Sequence, residues 1–505
     1  MRTPGSKADT QFFGHPRGLA TLFFTEFWER FSYYGMRALL ILFMTAETVE
    51  GGLGYDVGKA GAVYGLYTAL VYMLGLPGGW IADRFLGQRK AVLVGGIIIA
   101  SGHFSMAVPT DATFFLGLVL IIIGTGLLKP NVSTMVGQIY SKDDKRRDAG
   151  FSVFYMGINL GAFLAPLLCG YVGENINWHY GFGIAGVGMV AGLIQYMLGD
   201  KHLGQAGKHP VQAESEEERR KDVRNLSLGI GGVLALIAAV AIPALLGLVV
   251  ITPEIISNGF GVVLAVTVIV FFGWLFFGGN WTRGERRRLY TIGVLFLGAA
   301  MFWSAFEQAG STLSLFAEER TDRGTAEFVV NLLSLDGGVF PASWFQSLNP
   351  LYIIFLAPVF AWFWVRLGSR DPSKPAKFAA GLFLLGLGFV VLAVGAMASG
   401  AGIRVSPLWL VATYLLHTLG ELCLSPVGLS AMTKLAPARV GSLMMGVWFL
   451  AAAVGNYMGG FLARFYESFD VPMLFGTVAL FSIGTALVMA VLAIPIKRML
   501  ARGES

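Results

Sequence analysis

The stretch FTEFWERFSYYGMRALL, residues 24–40, sets Glu26, Glu29, Arg30 and Arg37 inside an otherwise apolar run. At about 100° per residue of α-helix, those four and Tyr33 share one stripe roughly 100° wide; Phe, Trp, Leu and Ile fill the other faces. The run is long enough for a membrane helix, yet a charge near the bilayer centre costs ~2.5–3.5 kcal/mol on insertion scales. Several charges together demand an aqueous cavity or buried partners. Glu26 and Arg30 are spaced i,i+4 and can pair along the helix. Two acids and two bases cancel, so one protonation event would unbalance them. The expected fold is a bundle of membrane helices around a polar cavity, with this helix as one wall.

The rest of the chain agrees with that setting. Of 505 residues, 55% are hydrophobic and 13% charged, against about a quarter charged in soluble domains. Apolar runs of roughly twenty residues, enough for about 30 Å of hydrocarbon, recur throughout. The spans read as 18–46, 59–82, 90–108, 112–139, 148–172, 180–198, 226–251, 255–280, 289–317, 343–368, 376–400, 404–436, 438–466 and 470–500. That makes fourteen helices in an all-α membrane protein. The first eighteen residues lack an apolar core with a small-residue cleavage site, which argues against a cleaved signal peptide.

Lys and Arg give the orientation. Of the 37 cations, only Lys59, Arg320, Arg323, Arg404 and Arg464 fall in loops opposite the N-terminal side. Both termini are therefore expected in the cytoplasm. The net charge of +6 follows from this asymmetry, and no cluster of cations points to nucleic acid. Cys169 and Cys423 fall in apolar segments and read as small core residues.

The charged stretch AESEEERRKD, residues 213–222, lies in a segment that separates six helices from the remainder. The expected organisation is a six-helix bundle over 1–198, a cytoplasmic, partly helical linker over 199–225, an extra hairpin over 226–280, and a second bundle over 281–505. Between Arg224 and Arg283 the hairpin carries one charge, Glu254. It offers a transport path almost no polar group, so it is expected to pack outside the twelve-helix core and face lipid. The loop GGWIADRFLGQRK, residues 78–90, resembles the cytoplasmic-loop signature of the major facilitator superfamily, stretched by one residue. RLGSRDPSK, residues 366–374, is a faint echo in the second half. This resemblance implies two six-helix halves rocking about a site near the midplane.

Three further charges lie well inside spans: Lys129 in IIIGTGLLKPNVSTMVG, Glu307 in AAMFWSAFEQAGS and Glu421 in YLLHTLGELCLSPVGLS. A buried Lys far from any acid would lose its proton, so Lys129 is expected to point at the acids of the first helix. The first half then contributes Arg37 and Lys129, and the second Glu307 and Glu421. A cavity positive on one wall and negative on the other suits a zwitterion, with Arg37 able to grip a carboxylate bidentately. His417, one turn before Glu421, is either a proton relay or a hydrogen-bonded polar residue. The sequence holds no metal-ligand cluster, no phosphate-cradling glycine loop and no nucleophile–base motif, so no catalytic site, metal or cofactor is expected.

These motifs together resemble the proton-dependent oligopeptide transporters. TEFWERFSYYGMR carries that family's E-x-x-E-R motif, and GGWIADRFLG, LKPNVS, FYMGINLGAFLAP, FWSAFEQ, WFQSLNP and GELCLSPVGLS follow in order along nearly the whole chain. The extra central hairpin is similar to that of bacterial members. The resemblance implies a proton-coupled symporter of di- and tripeptides in the bacterial plasma (inner) membrane, working as a monomer with protons as the coupling ion. It also implies roles. Arg37 and Lys129 would hold the peptide carboxylate and Glu421 its amino group. Tyr33, Tyr34, Tyr72, Asn159, Trp303, Asn349 and Trp448 would line the pocket. Glu26, Glu29, Arg30 and Glu307 would form the proton-coupling network, which Lys129 also reaches. Animal members place a His after a tyrosine of the second helix, whereas here Tyr64 precedes Gly65, so coupling would rest on carboxylates. The alternative is a transporter of the same fold carrying nitrate, a drug or an amphiphilic anion.

Overall fold

The computed structural model describes residues 10–141, 143–211, 213, 215–326, 329–330, 339–437 and 440–501. Fourteen long helices follow one another along the described residues. The first six are α1 (Arg17–Thr45), α2 (Val57–Leu86), α3 (Gln88–Met106), α4 (Asp111–Gln138), α5 (Arg147–Asn175) and α6 (Trp178–Gly199). A hairpin follows, α7 (Glu216–Leu245) and α8 (Pro253–Phe277). The last six are α9 (Arg283–Glu319), α10 (Ala342–Leu367), α11 (Lys374–Ala398), α12 (Leu408–Leu435), α13 (Gly441–Ala463) and α14 (Val471–Ala501). Twelve of these helices are long and apolar enough by composition to cross a membrane. The two outside that set are α1, with its four internal charges, and α3, which opens on Gln88, Arg89 and Lys90.

The two halves are six-helix bundles, and the hairpin lies at their edge. No residue of α7 is buried, and α8 buries only Ser257, Leu264 and Leu275. What holds α8 is a short polar seam: Tyr457 Oη donates to the Ser257 carbonyl at 3.0 Å and Arg464 Nη1 to Asn258 Oδ1 at 2.7 Å. Phe272 of α8 packs its ring 4.7 Å from that of Phe296 in α9. An apolar, unburied face is what lipid would cover, as the near absence of charge suggested.

α7 begins ten residues before the apolar run, at Glu216. Ser215 caps it by accepting from the Glu218 amide, and Glu216, Glu217 and Glu218 sit on the positive end of the helix dipole. The acidic half of AESEEERRKD is therefore the first turn of this helix. The segment before it clasps the loop between α2 and α3. Arg89 donates through Nε to the Ala206 carbonyl at 2.7 Å and pairs with Asp200 at 3.0 Å. Val211 N donates to the Asp83 carbonyl at 2.8 Å, and Arg84 pairs with Glu218 at 2.7 Å.

At the end of the molecule away from the termini, here the distal end, the halves touch. α2 and α13 cross at Gly65 and Gly460, so closely that a Cβ on Gly460 would lie 2.3 Å from the Gly65 Cα. Any side chain at either position would push the helices apart. A His at position 65, the animal pattern, has no room in this arrangement.

A second distal contact is polar. Glu174, at the end of α5, accepts from the amides of Ala342 at 2.7 Å and Ser343 at 3.0 Å, where α10 begins. It also pairs with Arg323 at 3.5 Å, and Arg323 in turn donates to the Phe340 carbonyl at 3.1 Å. One carboxylate of the first half thus serves two orphan amides and a guanidinium of the second. Removing an acceptor of this kind costs ~1–3 kcal/mol per unsatisfied buried donor. Glu174→Ala is expected to loosen the distal end without unfolding the protein. With Ser343→Cys as a reporter, a water-soluble maleimide should label the double variant at least severalfold faster than the Glu174 parent. Equal labelling would show that Glu174 does not fasten the halves.

Candidate substrate cavity

Between the halves lies a cavity of about 290 Å³. The first half lines it with Glu26, Arg30, Tyr34 and Arg37 of α1, Tyr72 of α2, Lys129 of α4 and Asn159 of α5. The second half contributes Trp303 and Glu307 of α9, Asn349 of α10, Glu421 of α12 and Trp448 of α13. Twelve sequence-selected residues therefore meet in one space. Two others do not line it. Glu29 is buried behind Arg30, and Tyr33 is buried with its ring 5.1 Å from the Arg30 guanidinium carbon.

The charges fall into three groups. In the first, Arg30 is gripped by Glu29 through both Nε and Nη2, and its Nε lies 3.3 Å from Glu26. One guanidinium thus neutralises only one of two acids, and Glu26 Oε2 is buried with no hydrogen-bond partner among the described residues. In the second, Arg37 Nη2 pairs with Glu307 at 2.6 Å while its Nε donates to Tyr64 Oη at 2.8 Å. This pair bridges the two halves.

Local structure sets up that bridge. The α-helix of α9 gives way to a 3₁₀ turn over Glu307–Gly310, which aims Glu307 across the interface. Gly310 then leaves space for its neighbours: a Cβ there would sit 2.0 Å from Tyr64 Oη and 3.1 Å from Arg37 Nε. A larger residue at 310 would displace the arginine or the tyrosine.

The third group is a lysine and a glutamate that form no salt bridge among the described residues, although Glu29, Glu26 and Glu307 act on Lys129 from a greater distance. Lys129 Nζ lies 4.1 Å from the centre of the Tyr72 ring, a cation–π contact. Among the described residues no carboxylate comes within 4.0 Å of it. Pro130 follows it inside α4 and removes one backbone donor from the helix ladder. Glu421 accepts from Asn349 Nδ2 at 2.9 Å, and the same amide reaches Thr418 Oγ1 at 3.0 Å. Among the described residues no cation pairs with Glu421. Lys129 belongs to one half and Glu421 to the other, so a basic and an acidic group without a salt bridge stand on the two walls.

His417 also lines the cavity, with its ring centre 4.8 Å from that of Phe389. It is packed as an aromatic, not presented to Glu421. Several lining residues escaped sequence reasoning: Tyr155, Phe306, Gln346 and Tyr414. They sit in apolar or aromatic runs where nothing marks a cavity face. Gln346 had one local signal, its i,i+3 spacing to Asn349 on the same helical face.

A family model described as the POT family matches residues 89–217 and 260–479. The chain is 46% identical over 491 residues to an uncharacterized transporter, YclF, of Bacillus subtilis, covering 96% of this chain and 95% of that one. It is 38% identical over 508 residues to a di-/tripeptide transporter of Lactococcus lactis subsp. cremoris, covering 98% of each. Its fold superposes with a TM-score of 0.89, at 45% identity and 98% coverage of both chains, on the crystal structure of a peptide transporter POT in complex with sulfate. The relatives and the fold match over nearly the full length and the family model over more than half of it, and the chain belongs to the POT family.

Proposed function

We infer that this protein is a proton-coupled symporter that takes up di- and tripeptides by alternating access. The observation that carries the reading is the placement of Lys129 and Glu421, neither in a salt bridge, on opposite walls of one cavity. A short peptide is a zwitterion whose carboxylate and amine suit those walls, and each end would supply the counter-ion the wall lacks. The volume of about 290 Å³ sits at the small end of ligand pockets, ~300–1,000 Å³, which favours two or three residues over longer chains. The Lactococcus relative named a di-/tripeptide transporter supports the same substrate class.

Charge balance supports the proton. Glu26, Glu29, Glu307 and Glu421 face Arg30, Arg37 and Lys129, four acids against three bases, all at or beside the cavity. A zwitterionic peptide adds no net charge. One proton brings the group to neutrality, and Glu307 is where that proton has a mechanical consequence. With Glu307 neutral, Arg37 loses its partner in the other half and is released to the peptide carboxylate beside Lys129. The bridge between the halves is then broken, and they can rock about the occupied site.

The driving force is adequate. One proton moving down ~100 mV supplies ~2.3 kcal/mol, and one pH unit adds ~1.4 kcal/mol. Together they sustain roughly 500-fold accumulation of a net-neutral peptide. The reading places the chain in the bacterial plasma membrane as a functional monomer with cytoplasmic termini, needs no cofactor beyond the proton, and assigns no catalysis. The skew of Lys and Arg to one side supports the orientation.

Uptake of labelled dialanine into proteoliposomes tests this. An inward pH gradient with a negative-inside potential is expected to drive accumulation well above equilibration, and Glu307→Gln to abolish accumulation while keeping exchange of internal for external peptide. Gradient-independent uptake by the parent protein, or concentrative uptake by Glu307→Gln, would remove the symport mechanism. Nitrate transport without dialanine transport would instead favour another substrate of this fold.

The Glu421 role has its own readout. Losing a buried charge pair costs ~2–5 kcal/mol, so Glu421→Gln should weaken apparent dialanine affinity by roughly 30-fold or more. The same change should erase discrimination against N-acetyl-dialanine, whose amino end is uncharged. Undiminished preference for the free amine in Glu421→Gln would place amine recognition elsewhere.

A further inference from the structure

A second, wider recess of about 610 Å³ lies outside the transport path, between the start of α1 and the end of α6. Its floor is apolar or uncharged. Ala20 and Thr21 come from α1, and Ala191, Ile194, Gln195 and Leu198 repeat at i, i+3, i+4 and i+7 along one face of α6. Ile194 and Leu198 are exposed, although both lie in the apolar part of a membrane helix. The rim is basic. Arg17 opens α1, and Lys201 and His202 occupy the 3₁₀ turn Asp200–His202 that ends α6. The nearest acid of that turn, Asp200, is held by Arg89 at 3.0 Å.

Two features fix the rim where it is. Thr21 Oγ1 donates to the Gly199 carbonyl at 3.3 Å, and a Cβ on Gly18 would lie 2.8 Å from the His202 carbonyl oxygen, so the two chain segments are in close contact. α1 also begins at Pro16, which provides no side-chain cap. The Leu19 amide in its first turn donates to the Pro16 carbonyl at 2.9 Å, and the positive end of the helix dipole lies behind the rim.

We propose that this recess is a binding site for an acidic glycerophospholipid of the leaflet that faces the termini. Its phosphate would sit between Arg17, Lys201 and the start of α1, and one acyl chain would lie along Ile194 and Leu198. The depth relationship carries the assignment. Arg17, Lys201 and His202 stand at the level where both helices leave the apolar zone, and the greasy ridge runs from there into it. A soluble anion would use the rim alone; a neutral lipid would use the ridge alone. Only an acidic lipid matches both, and basic pockets between membrane helices at this level hold anionic headgroups.

Native mass spectrometry of the detergent-solubilised protein, titrated separately with dioleoyl phosphatidylglycerol and dioleoyl phosphatidylcholine, tests the proposal. The parent is expected to retain one phosphatidylglycerol with roughly 30-fold preference over phosphatidylcholine, from two cations at ~1 kcal/mol each. Arg17→Gln/Lys201→Gln should bring that preference close to one at an unchanged melting temperature. Arg219→Gln/Lys221→Gln, which removes two exposed cations of α7, should leave it intact. The proposal is overturned by equal retention of the two lipids, by a preference that survives Arg17→Gln/Lys201→Gln, or by full displacement of phosphatidylglycerol with inorganic phosphate. Should the double variant prove unstable, Leu198→Asp must lower phosphatidylglycerol retention as well, because the site needs its ridge.

Discussion

Arg37 and Glu307 meet across the interface between the halves at 2.6 Å, with both side chains almost fully buried. A buried pair is a poor source of net stability, since desolvation of the two ions offsets much of their attraction; neutralising one partner strands the other at a cost of ~3–5 kcal/mol. In the proposed mechanism that asymmetry makes the pair a switch. While both are charged, the halves are tied at the floor of the cavity, and the glycine crossing of α2 with α13 and the Glu174 clasp hold the distal end beside it. Once Glu307 is neutral, Arg37 needs another anion in the same low-dielectric space, and a peptide carboxylate is the partner of the right shape. On this proposal, proton and peptide act on one atom group.

The rest of the cavity follows from having to keep that group solvated without flooding it with spare charge. Tyr64 satisfies the Arg37 Nε, and Gly310 leaves the room to do so. Arg30 is held by Glu29 and Glu26, whereas Lys129 rests on the Tyr72 ring without a salt bridge among the described residues. Asn349 gives Glu421 a neutral donor, not a cation, which leaves the place of a cationic partner open to an incoming amine. Each arrangement leaves a polar group with room for a further partner, and in the proposed mechanism the peptide termini are those partners.

Much of this was legible in the chain because lipid penalises charge so heavily. Glu26, Arg30, Arg37, Lys129, Glu307 and Glu421 stood out against apolar spans, and all six line one cavity. Helical periodicity located the stripe on α1 but not its centre: Tyr34 faces the cavity, while Tyr33, its neighbour on the predicted stripe, is buried beside Arg30. One residue is a rotation of about 100°, which packing against other helices decides. Tyr155, Phe306 and Tyr414 gave no signal, since an aromatic in an apolar run reads the same whether it faces lipid, core or a cavity. The pairing of Arg37 with Glu307 joins residues 270 positions apart, and no spacing rule reaches that far. The linker over 199–225 was expected to be partly helical, but charge hid that the helix from Glu216 runs on into the hairpin as α7.

The central claim is that peptide binding and protonation of Glu307 are one event, because Arg37 serves both. Calorimetry of dialanine binding in two buffers of different ionisation enthalpy measures it directly by giving the protons taken up per peptide bound. Between pH 6 and 8 the account expects an uptake approaching one proton in the parent protein and close to none in Glu307→Gln. Equal proton uptake by both proteins would contradict the account, because the proton would then enter elsewhere and the Arg37–Glu307 pair would not be the coupling element.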